Sequence, residues 1–230
     1  YKRKFNLTEE ELAIVSAKNH KNAIHNPHAY SNKTYTIPEI MNSKQITDDL
    51  RLLDCSKPCT GGSAILITSK KSSKKFTDTP VWIKGIGQKT ISAGFTKNNE
   101  LTELESTKHA ADDSFKMAKL SPNDIDVAEI HDAFSICEIM ELEDIGFVKK
   151  GDGADYVRTL FNTENKKINP RGGLIGSGHP LGATGIAQTV EITQQLQNNA
   201  GKKQINDAKR GLIHNMSAAA TSSSVLILES

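Results

Sequence analysis

Apolar and polar residues alternate with helical spacing near the start of the chain, and a short apolar run follows some forty residues later. Thr8 and Glu11, in TEEE, form a capping box, which predicts a helix that continues to about Ala23. Residues 26–45 are polar and predict a loop with one short helical turn. The apolar run Ala64 to Ile67 predicts a buried strand.

The second part of the chain alternates strand and helix patterns. Residues 70–80, KKSSKKFTDTP, are charged, serine-rich and closed by proline, as is typical of a linker. The patterns after it predict a strand at 81–88, a helix at 102–119, a strand at 126–130, a helix at 132–145, a strand in the glycine-rich stretch 169–185, a helix to about 198, and strands at 210–216 and 223–229. Such alternation indicates βαβ crossovers and a largely parallel sheet with helices on both faces.

This division predicts one α/β domain at residues 80–230. Residues 1–79 offer one helix, one loop and one strand, which cannot bury a core of their own. We therefore expect residues 1–79 to pack on this domain or on another chain.

Composition narrows the class of protein. The 230 residues carry a formal net charge of +2, with 37% hydrophobic and 24% charged residues. The lysines are scattered, which argues against a nucleic-acid or membrane surface, and no apolar run approaches the ~20 residues of a membrane helix. Three cysteines without a CxxC pair argue against a disulfide framework or a metal site and favour a cytoplasmic protein.

The stretch NPRGGLIGSGHPLGATG, residues 169–185, contains six glycines with His179 among them. Glycine weakens strands and helices by roughly 0.5–1 kcal/mol per position relative to alanine, so the stretch indicates close approach of the backbone to another group. A helix is predicted to begin near Ala183, with its free N–H groups on the side of His179. For a bare GxGHP, an ordinary turn that holds a histidine is an equal alternative.

The whole string resembles the Asn-x-x-Gly-Gly…Gly-His-Pro-x-Gly-Ala-(Ser/Thr)-Gly signature near the C-terminus of thiolases, which make or cleave 3-ketoacyl-CoA thioesters. LRLLDCS (50–56), DVAEIHDAFSICEIMELEDIGF (126–147) and GLIHN (211–215) extend the resemblance to archaeal acetyl-CoA acetyltransferases and to the thiolase domain linked to sterol carrier proteins. The resemblance implies an α/β thiolase-like fold whose C-terminal half, 80–230, is complete, with a mixed five-stranded sheet between helices. Residues 1–79 then correspond to the substrate-loop region and last strand of an N-terminal half that is mostly absent.

The resemblance also implies roles for two histidines. His179 matches the histidine that activates a nucleophilic cysteine and contributes to an oxyanion hole, and Gly178 and Gly182 beside it serve close backbone approach. His131, in HDAF, matches a hydrogen-bond donor to the oxyanion, at a position where degradative thiolases have asparagine. The alternative is structural: Asp132 caps the next helix and His131 merely accompanies it.

The C-terminal motif departs from the usual pattern. Other thiolases have Cys-x-Gly-Gly-Gly, where the cysteine is a second acid/base and a glycine N–H lines the oxyanion hole. In HNMSAA, Asn215 takes the place of that cysteine and Ser217 that of the glycine. A backbone N–H survives a change from glycine to serine, whereas a positive φ or a tight approach is harder to keep.

These matches imply an acyltransferase that condenses two acetyl-CoA into acetoacetyl-CoA, or runs the reverse thiolysis, with coenzyme A thioester as substrate and no resident cofactor. The nucleophilic cysteine is expected on a separate N-terminal thiolase chain. The family further implies a homo- or hetero-oligomer, an OB-fold/zinc-ribbon partner and hydroxymethylglutaryl-CoA synthase as a second partner. Two alternatives stay open: a non-catalytic scaffold subunit of an acyl-CoA complex, and an aldolase that acts on CoA-linked side chains.

Overall fold

The sheet is described from a computed structural model, which covers residues 1–92 and 100–230. Its strands are β1 (Trp82–Thr90), β2 (Val127–Glu129), β3 (Arg210–Met216) and β4 (Ser222–Glu229), in the spatial order β1-β4-β3-β2. Strands β2 and β3 are parallel, whereas β1 with β4 and β3 with β4 are antiparallel. The α/β class and the mixed sheet are confirmed, and the expectation of a largely parallel sheet is wrong.

Helices cover both faces of this sheet. They are α1 (Lys2–Phe5), α2 (Glu9–Ala23), α3 (Ile37–Met41), α4 (Lys70–Ser73), α5 (Glu105–Ala118), α6 (Ser135–Asp144), α7 (Gly153–Asn162), α8 (Gly173–Ser177) and α9 (Thr184–Leu196). Helix α5 lies against β1, where a Cβ on Gly87 would come within 1.8 Å of the Ala110 carbonyl oxygen. On the other face, Ile192 of α9 packs over Gly211 of β3, where a Cβ would come within 2.3 Å of that side chain. The predicted helical layers are thus present.

The expected fifth strand is absent from the described residues, so the prediction of five strands is wrong. At the start of the glycine-rich stretch the chain makes one isolated parallel bridge, between Ile168 and Ala128. Asn169 then has φ of 55°, and Gly172 and Gly173 have φ of 104° and 57°. These left-handed values lie outside the β region, so the chain turns away from the sheet and enters α8.

The predicted first helix is confirmed, together with its capping box. The Thr8 hydroxyl accepts from the Glu11 N–H at 3.3 Å, and the Glu11 carboxylate accepts from the Thr8 N–H at 2.7 Å. Leu12, Ile14 and Val15 of α2 are buried in the same core as the sheet residues. The helix therefore packs on the α/β domain, while a domain boundary at residue 80 stays a prediction.

The prediction of a buried strand at Ala64 to Ile67 is wrong. Residues 61–69 have no regular secondary structure, and Leu66 and Ile67 are 68% and 70% exposed. The apolar run lacks a neighbouring strand among the described residues, so its backbone has no ladder to join. Helix α7 was not predicted, although Val157 and Leu160 are buried and Ala154 and Phe161, at helical spacing from them, pack against the core.

Candidate active site

The two histidines singled out by the sequence lie next to each other. His131 follows the carboxyl end of β2, and His179 follows α8. Their ring centroids are 5.0 Å apart and the ring planes are perpendicular, at 89°. Asn215 of β3 reaches the same place, since its Nδ2 lies 3.0 Å from Nδ1 of His131. The fold therefore brings together the three residues predicted to be catalytic.

A short N-terminal segment lies between the two histidine-bearing loops. Cys55 forms an isolated antiparallel bridge with Phe134, and Pro58 forms a parallel bridge with His179. The His179 N–H donates to the Lys57 carbonyl at 2.8 Å. Because one extended segment binds both loops, the spacing between the histidines is set by backbone hydrogen bonds.

Asp132 is structural, although it caps a different helix from the expected one. Its carboxylate is fully buried and accepts from the N–H groups of Leu174 and Ile175, at 2.6 and 3.2 Å, in the first turn of α8. Asn19 of α2 donates a third hydrogen bond, at 2.7 Å. Burial, with the nearby Glu138 carboxylate, raises the pKa of Asp132. This residue fixes the helix that leads into His179.

Thr184 assigns the tautomer of His179. The Thr184 hydroxyl donates to the Pro180 carbonyl at 3.1 Å and lies 2.8 Å from Nδ1 of His179. A hydroxyl has one hydrogen, and we assign it to the Pro180 carbonyl, so that Thr184 accepts from an Nδ1–H of His179. The remaining ring nitrogen, Nε2, then carries a lone pair. Burial, and next the charge of Arg171, lowers the pKa of His179, so the neutral, proton-accepting form is favoured near neutral pH.

His131 is neutral as well. Burial lowers its pKa to about 3, with further contributions from His214 and His179. Its backbone N–H donates to the Glu141 carboxyl group at 2.7 Å, which holds the start of the loop. A neutral imidazole has one N–H, so His131 can donate one ring hydrogen bond without carrying a charge.

A buried pair, Glu141 and His214, lies behind His131. Both residues are 0% exposed, and Nδ1 of His214 lies 3.1 Å from Oε2 of Glu141, off the alignment of a hydrogen bond. The opposite ring nitrogen lies 3.1 Å from the Thr107 hydroxyl. Burial raises the pKa of Glu141 and lowers that of His214 to about 3, so the pair has no net charge at neutral pH.

The turn between β3 and β4 contains Ser217, whose backbone N–H was predicted from the resemblance to line the oxyanion hole. The Ser217 N–H donates to the Ser222 carbonyl at 2.8 Å, and the Ser217 hydroxyl lies 2.8 Å from that of Thr221. Ala219 and Ala220 have φ of 58° and 50°, a backbone conformation that suits glycine. The donor on Ser217 is thus already used within the turn.

The two glycines near His179 differ in their surroundings. Gly178 has φ of 90°, and a Cβ there would lie 2.8 Å from Sγ of Cys59 and 2.9 Å from Tyr30. At Gly182 a Cβ would meet nothing within 4 Å. Close approach at Gly178 is therefore to the protein itself, whereas Gly182 borders open space.

The thiols form no disulfide. Burial raises the pKa of Cys137, in the first turn of α6, to about 12, and burial also raises the pKa of Cys55. Cys59 lies beside Gly178 and lines a cleft of about 820 Å³ whose wall includes neither His131 nor Asn215.

The residues at 1–92 and 100–230 contain no group of three or more ligands placed for a metal ion, and none of their helices is long and apolar enough to cross a membrane.

Three buried polar residues of this site escaped the sequence analysis: Thr184, Gln188 and Glu141, each 0% exposed. Thr184 and Gln188 are four residues apart and therefore share one face of α9. That spacing was visible in GATGIAQ, but the partners of these side chains come from distant parts of the chain and are invisible in the local pattern.

The sequence of the chain is similar to those of known proteins. The model of a family described as thiolase C-terminal domain-like matches residues 87–230. An acetyl-CoA acetyltransferase of Methanothermobacter thermautotrophicus is 41% identical over 225 residues, which are 97% of this chain and 59% of that protein. Sterol carrier protein 2 of Gallus gallus is 35% identical over 220 residues, 93% of this chain and 40% of that protein.

A solved structure extends the likeness to the fold of the whole chain. An Ltp2-ChsH2(DUF35) aldolase superposes with a TM-score of 0.87 over 100% of this chain and 60% of its own chain, at 21% identity. The present chain thus spans about 60% of this structure, and 59% and 40% of the two curated relatives. With more than half of its residues matched by the family model, the chain belongs to the thiolase C-terminal domain-like family.

Proposed function

We propose that the chain supplies the two-histidine half of the active site of a thiolase-type acyltransferase, which condenses two acetyl-CoA into acetoacetyl-CoA or catalyses the reverse thiolysis. One observation carries the proposal: His179 and His131 lie together as neutral imidazoles, and Thr184 leaves His179 with a free lone pair on Nε2. A base beside a neutral hydrogen-bond donor is what acyl transfer to a thiol requires.

In the first step, Nε2 of His179 takes the proton of a cysteine thiol. The thiolate attacks the carbonyl carbon of an acyl-CoA and forms a new C–S bond, while His131 donates a hydrogen bond to the carbonyl oxygen as it becomes negative. Collapse of the intermediate breaks the bond to coenzyme A, and His179 returns the proton to the leaving thiolate. The products are an acyl-cysteine and free coenzyme A.

In the second step, His179 takes a proton from C2 of a second acetyl-CoA, or from the thiol of coenzyme A, and the resulting carbanion or thiolate attacks the acyl-cysteine. The cysteine leaves as a thiolate, and His131 again donates to the oxyanion. Asn215 has an amide in place of the second acid/base cysteine of other thiolases, and an amide neither gains nor loses a proton near neutral pH. We therefore assign Asn215 to orientation and the proton transfers to His179.

The nucleophile in this proposal is a cysteine outside the 230 residues, on the same polypeptide or on a separate chain. Cys137 is a poor candidate because its raised pKa keeps it protonated. Cys59 is the competitor within the chain, since it lies beside Gly178, the neighbour of His179.

An aldolase is the second candidate. The Ltp2-ChsH2(DUF35) aldolase shares the fold over the whole chain, and Asn215 removes one proton-transfer group that thiolases use. By the same analogy we propose a DUF35-type chain as a partner. The other expected partners, hydroxymethylglutaryl-CoA synthase and further copies of the chain, belong to the acyltransferase proposal. A scaffold without activity is the third reading, favoured by the Ser217 N–H that the turn already uses.

Mapping of the acyl-enzyme tests the proposal. The complete assembly is incubated with acetyl-CoA, quenched in acid and digested, and the acetylated cysteine is located by mass spectrometry. We expect a cysteine outside these 230 residues to be acetylated, together with thiolysis of acetoacetyl-CoA. Acetylation of Cys59 would show that the nucleophile lies within this chain. Retro-aldol cleavage without thiolysis would favour the aldolase. If neither thiolysis nor retro-aldol cleavage occurs, the non-catalytic scaffold is favoured.

A further inference from the structure

We propose that Gln188 is a positioning residue that fixes, through Asn215, the ring tautomer of His131, so that Nε2–H of His131 is the hydrogen that faces the substrate. The inference rests on the proposed function and adds to it a residue that acts without touching the substrate. Gln188 is 0% exposed and lies in the second turn of α9.

The hydrogen-bond directions can be assigned starting from a backbone carbonyl, which accepts hydrogen bonds and never donates them. The backbone carbonyl of His214 can only accept, and the side-chain nitrogen Nε2 of Gln188 lies 3.1 Å from it. That contact fixes the orientation of the Gln188 amide. Its oxygen, Oε1, must then point the other way.

The next contacts follow from that orientation. Oε1 of Gln188 can only accept, and Nδ2 of Asn215 lies 3.0 Å from it. The same Asn215 nitrogen lies 3.0 Å from Nδ1 of His131. An amide nitrogen donates and does not accept, so Nδ1 of His131 must be the acceptor. In a neutral imidazole the hydrogen is then on Nε2.

The result complements the state of His179. Thr184 donates to a backbone carbonyl and leaves His179 with its hydrogen on Nδ1, whereas Gln188 leaves His131 with its hydrogen on Nε2. Thr184 and Gln188 are four residues apart on α9, so one helix face sets opposite tautomers on two adjacent histidines. One ring is thereby prepared as a base and the other as a donor.

The titratable groups around this network are His131, His179 and the pair formed by Glu141 and His214. Burial lowers the pKa of His131 and of His214 to about 3, so both rings are neutral at neutral pH, and it raises the pKa of Glu141. The Glu141 carboxyl group binds the backbone N–H of His131, whereas Nδ1 of the His131 ring contacts the Asn215 amide. The neutral amides therefore make that choice.

A spectroscopic experiment tests the assignment without an activity measurement. The protein is labelled with ¹⁵N-histidine, and the protonated ring nitrogen of His131 is identified by NMR, with His131→Asn to assign the signal. We expect the Nε2–H form in the unaltered protein and a mixture of both tautomers in Gln188→Leu, because the Asn215 amide is then free to turn over. A single Nε2–H form in folded Gln188→Leu would overturn the proposal.

Gln188→Glu keeps the test informative if the leucine variant does not fold. A protonated glutamic acid can still donate to the His214 carbonyl and accept from Asn215, whereas a carboxylate cannot donate. We expect kcat close to that of the unaltered protein at low pH and about 10- to 100-fold lower at high pH, the range for partners that orient a functional group, with little change in KM. Gln194→Glu, on the same helix, is the matched control and should show no such pH-dependent loss.

The outcomes separate this inference from the function. A constant ratio of kcat between Gln188→Glu and the unaltered protein from pH 5 to 9 would overturn the role of Gln188. If His131→Ala abolishes thiolysis while Gln188→Leu leaves the tautomer unchanged, the proposed function stands and the inference fails. If His131→Ala keeps full activity, the function fails whatever the NMR spectrum shows.

Discussion

His131→Ala removes the imidazole that we assign as the donor to the oxyanion and leaves the hydrogen-bond chain intact as far as Asn215. The donor belongs to a side chain that is only 6% exposed, where water competes little for the developing charge. Loss of one such donor typically costs 10²–10³-fold in kcat, about 3–4 kcal/mol of barrier. We expect a loss of this size with little change in KM, since the interaction strengthens only in the transition state.

The fold should survive this substitution. Asn215 keeps Oε1 of Gln188, at 3.0 Å, as the acceptor for one of its two N–H groups and loses the acceptor of the other. The remaining cost is a buried cavity and lost packing, on the order of 2–4 kcal/mol, against a typical total of 5–15 kcal/mol. Circular dichroism and urea unfolding would verify that the variant is folded before its rate is interpreted.

The assay is steady-state thiolysis of acetoacetyl-CoA by the complete assembly. His131→Asn retains an amide N–H and should lose less activity than His131→Ala, and His109→Ala, an exposed histidine of α5, should be unchanged. Equal kcat in His131→Ala and the unaltered protein would refute the oxyanion role, and equal losses in the alanine and asparagine variants would mean that packing, and not the N–H, is what matters.

Three further predictions concern stability and association. Ala219→Gly should stabilise the fold by on the order of 0.5–1 kcal/mol, because Ala219 has φ of 58° and is exposed; Ala154→Gly in α7 should destabilise it, and urea unfolding of both variants decides. Burial lowers the pKa of His20 to about 4. Between about pH 6.5 and pH 4, His20 is therefore protonated in the unfolded chain but not in the folded chain. When the pH falls from 7.5 to 5, the free energy of unfolding of His20→Phe should therefore decrease by about 2 kcal/mol less than that of the unaltered protein. Parallel curves of unfolding free energy against pH would contradict this. The 230-residue chain alone should self-associate through exposed Leu66 and Ile67, and Leu66→Lys should reduce this in sedimentation; a monomeric unaltered chain would count against it.

Local signals were sufficient where the cause of a structure is local. The capping box of Thr8 and Glu11 predicted the start of α2 because both partners lie within four residues. The site histidines were identified by motif resemblance, and the fold brings them together with Asn215. Here sequence neighbours or short motifs carried enough information.

Non-local causes account for the errors. The apolar residues after Gly173 suit a strand as well as a helix, and α8 forms with its N–H groups bound by Asp132, more than forty residues earlier in the chain. The run Ala64 to Ile67 has strand composition but no neighbouring strand among the described residues. The role of Gln188 depends on β3 and on the loop after β2, and neither contact leaves a local trace.

The central claim is that His179 is the base that activates the nucleophilic cysteine. An unperturbed thiol, with a pKa near 8.5, is only a few per cent thiolate at neutral pH. The measurement is the pH dependence of alkylation of that cysteine by iodoacetamide in the complete assembly, for the unaltered protein and for His179→Ala. We predict that the unaltered protein reacts with an apparent pKa well below 8.5 and that His179→Ala shifts the curve to 8.5 or above. Superimposable curves would contradict the claim.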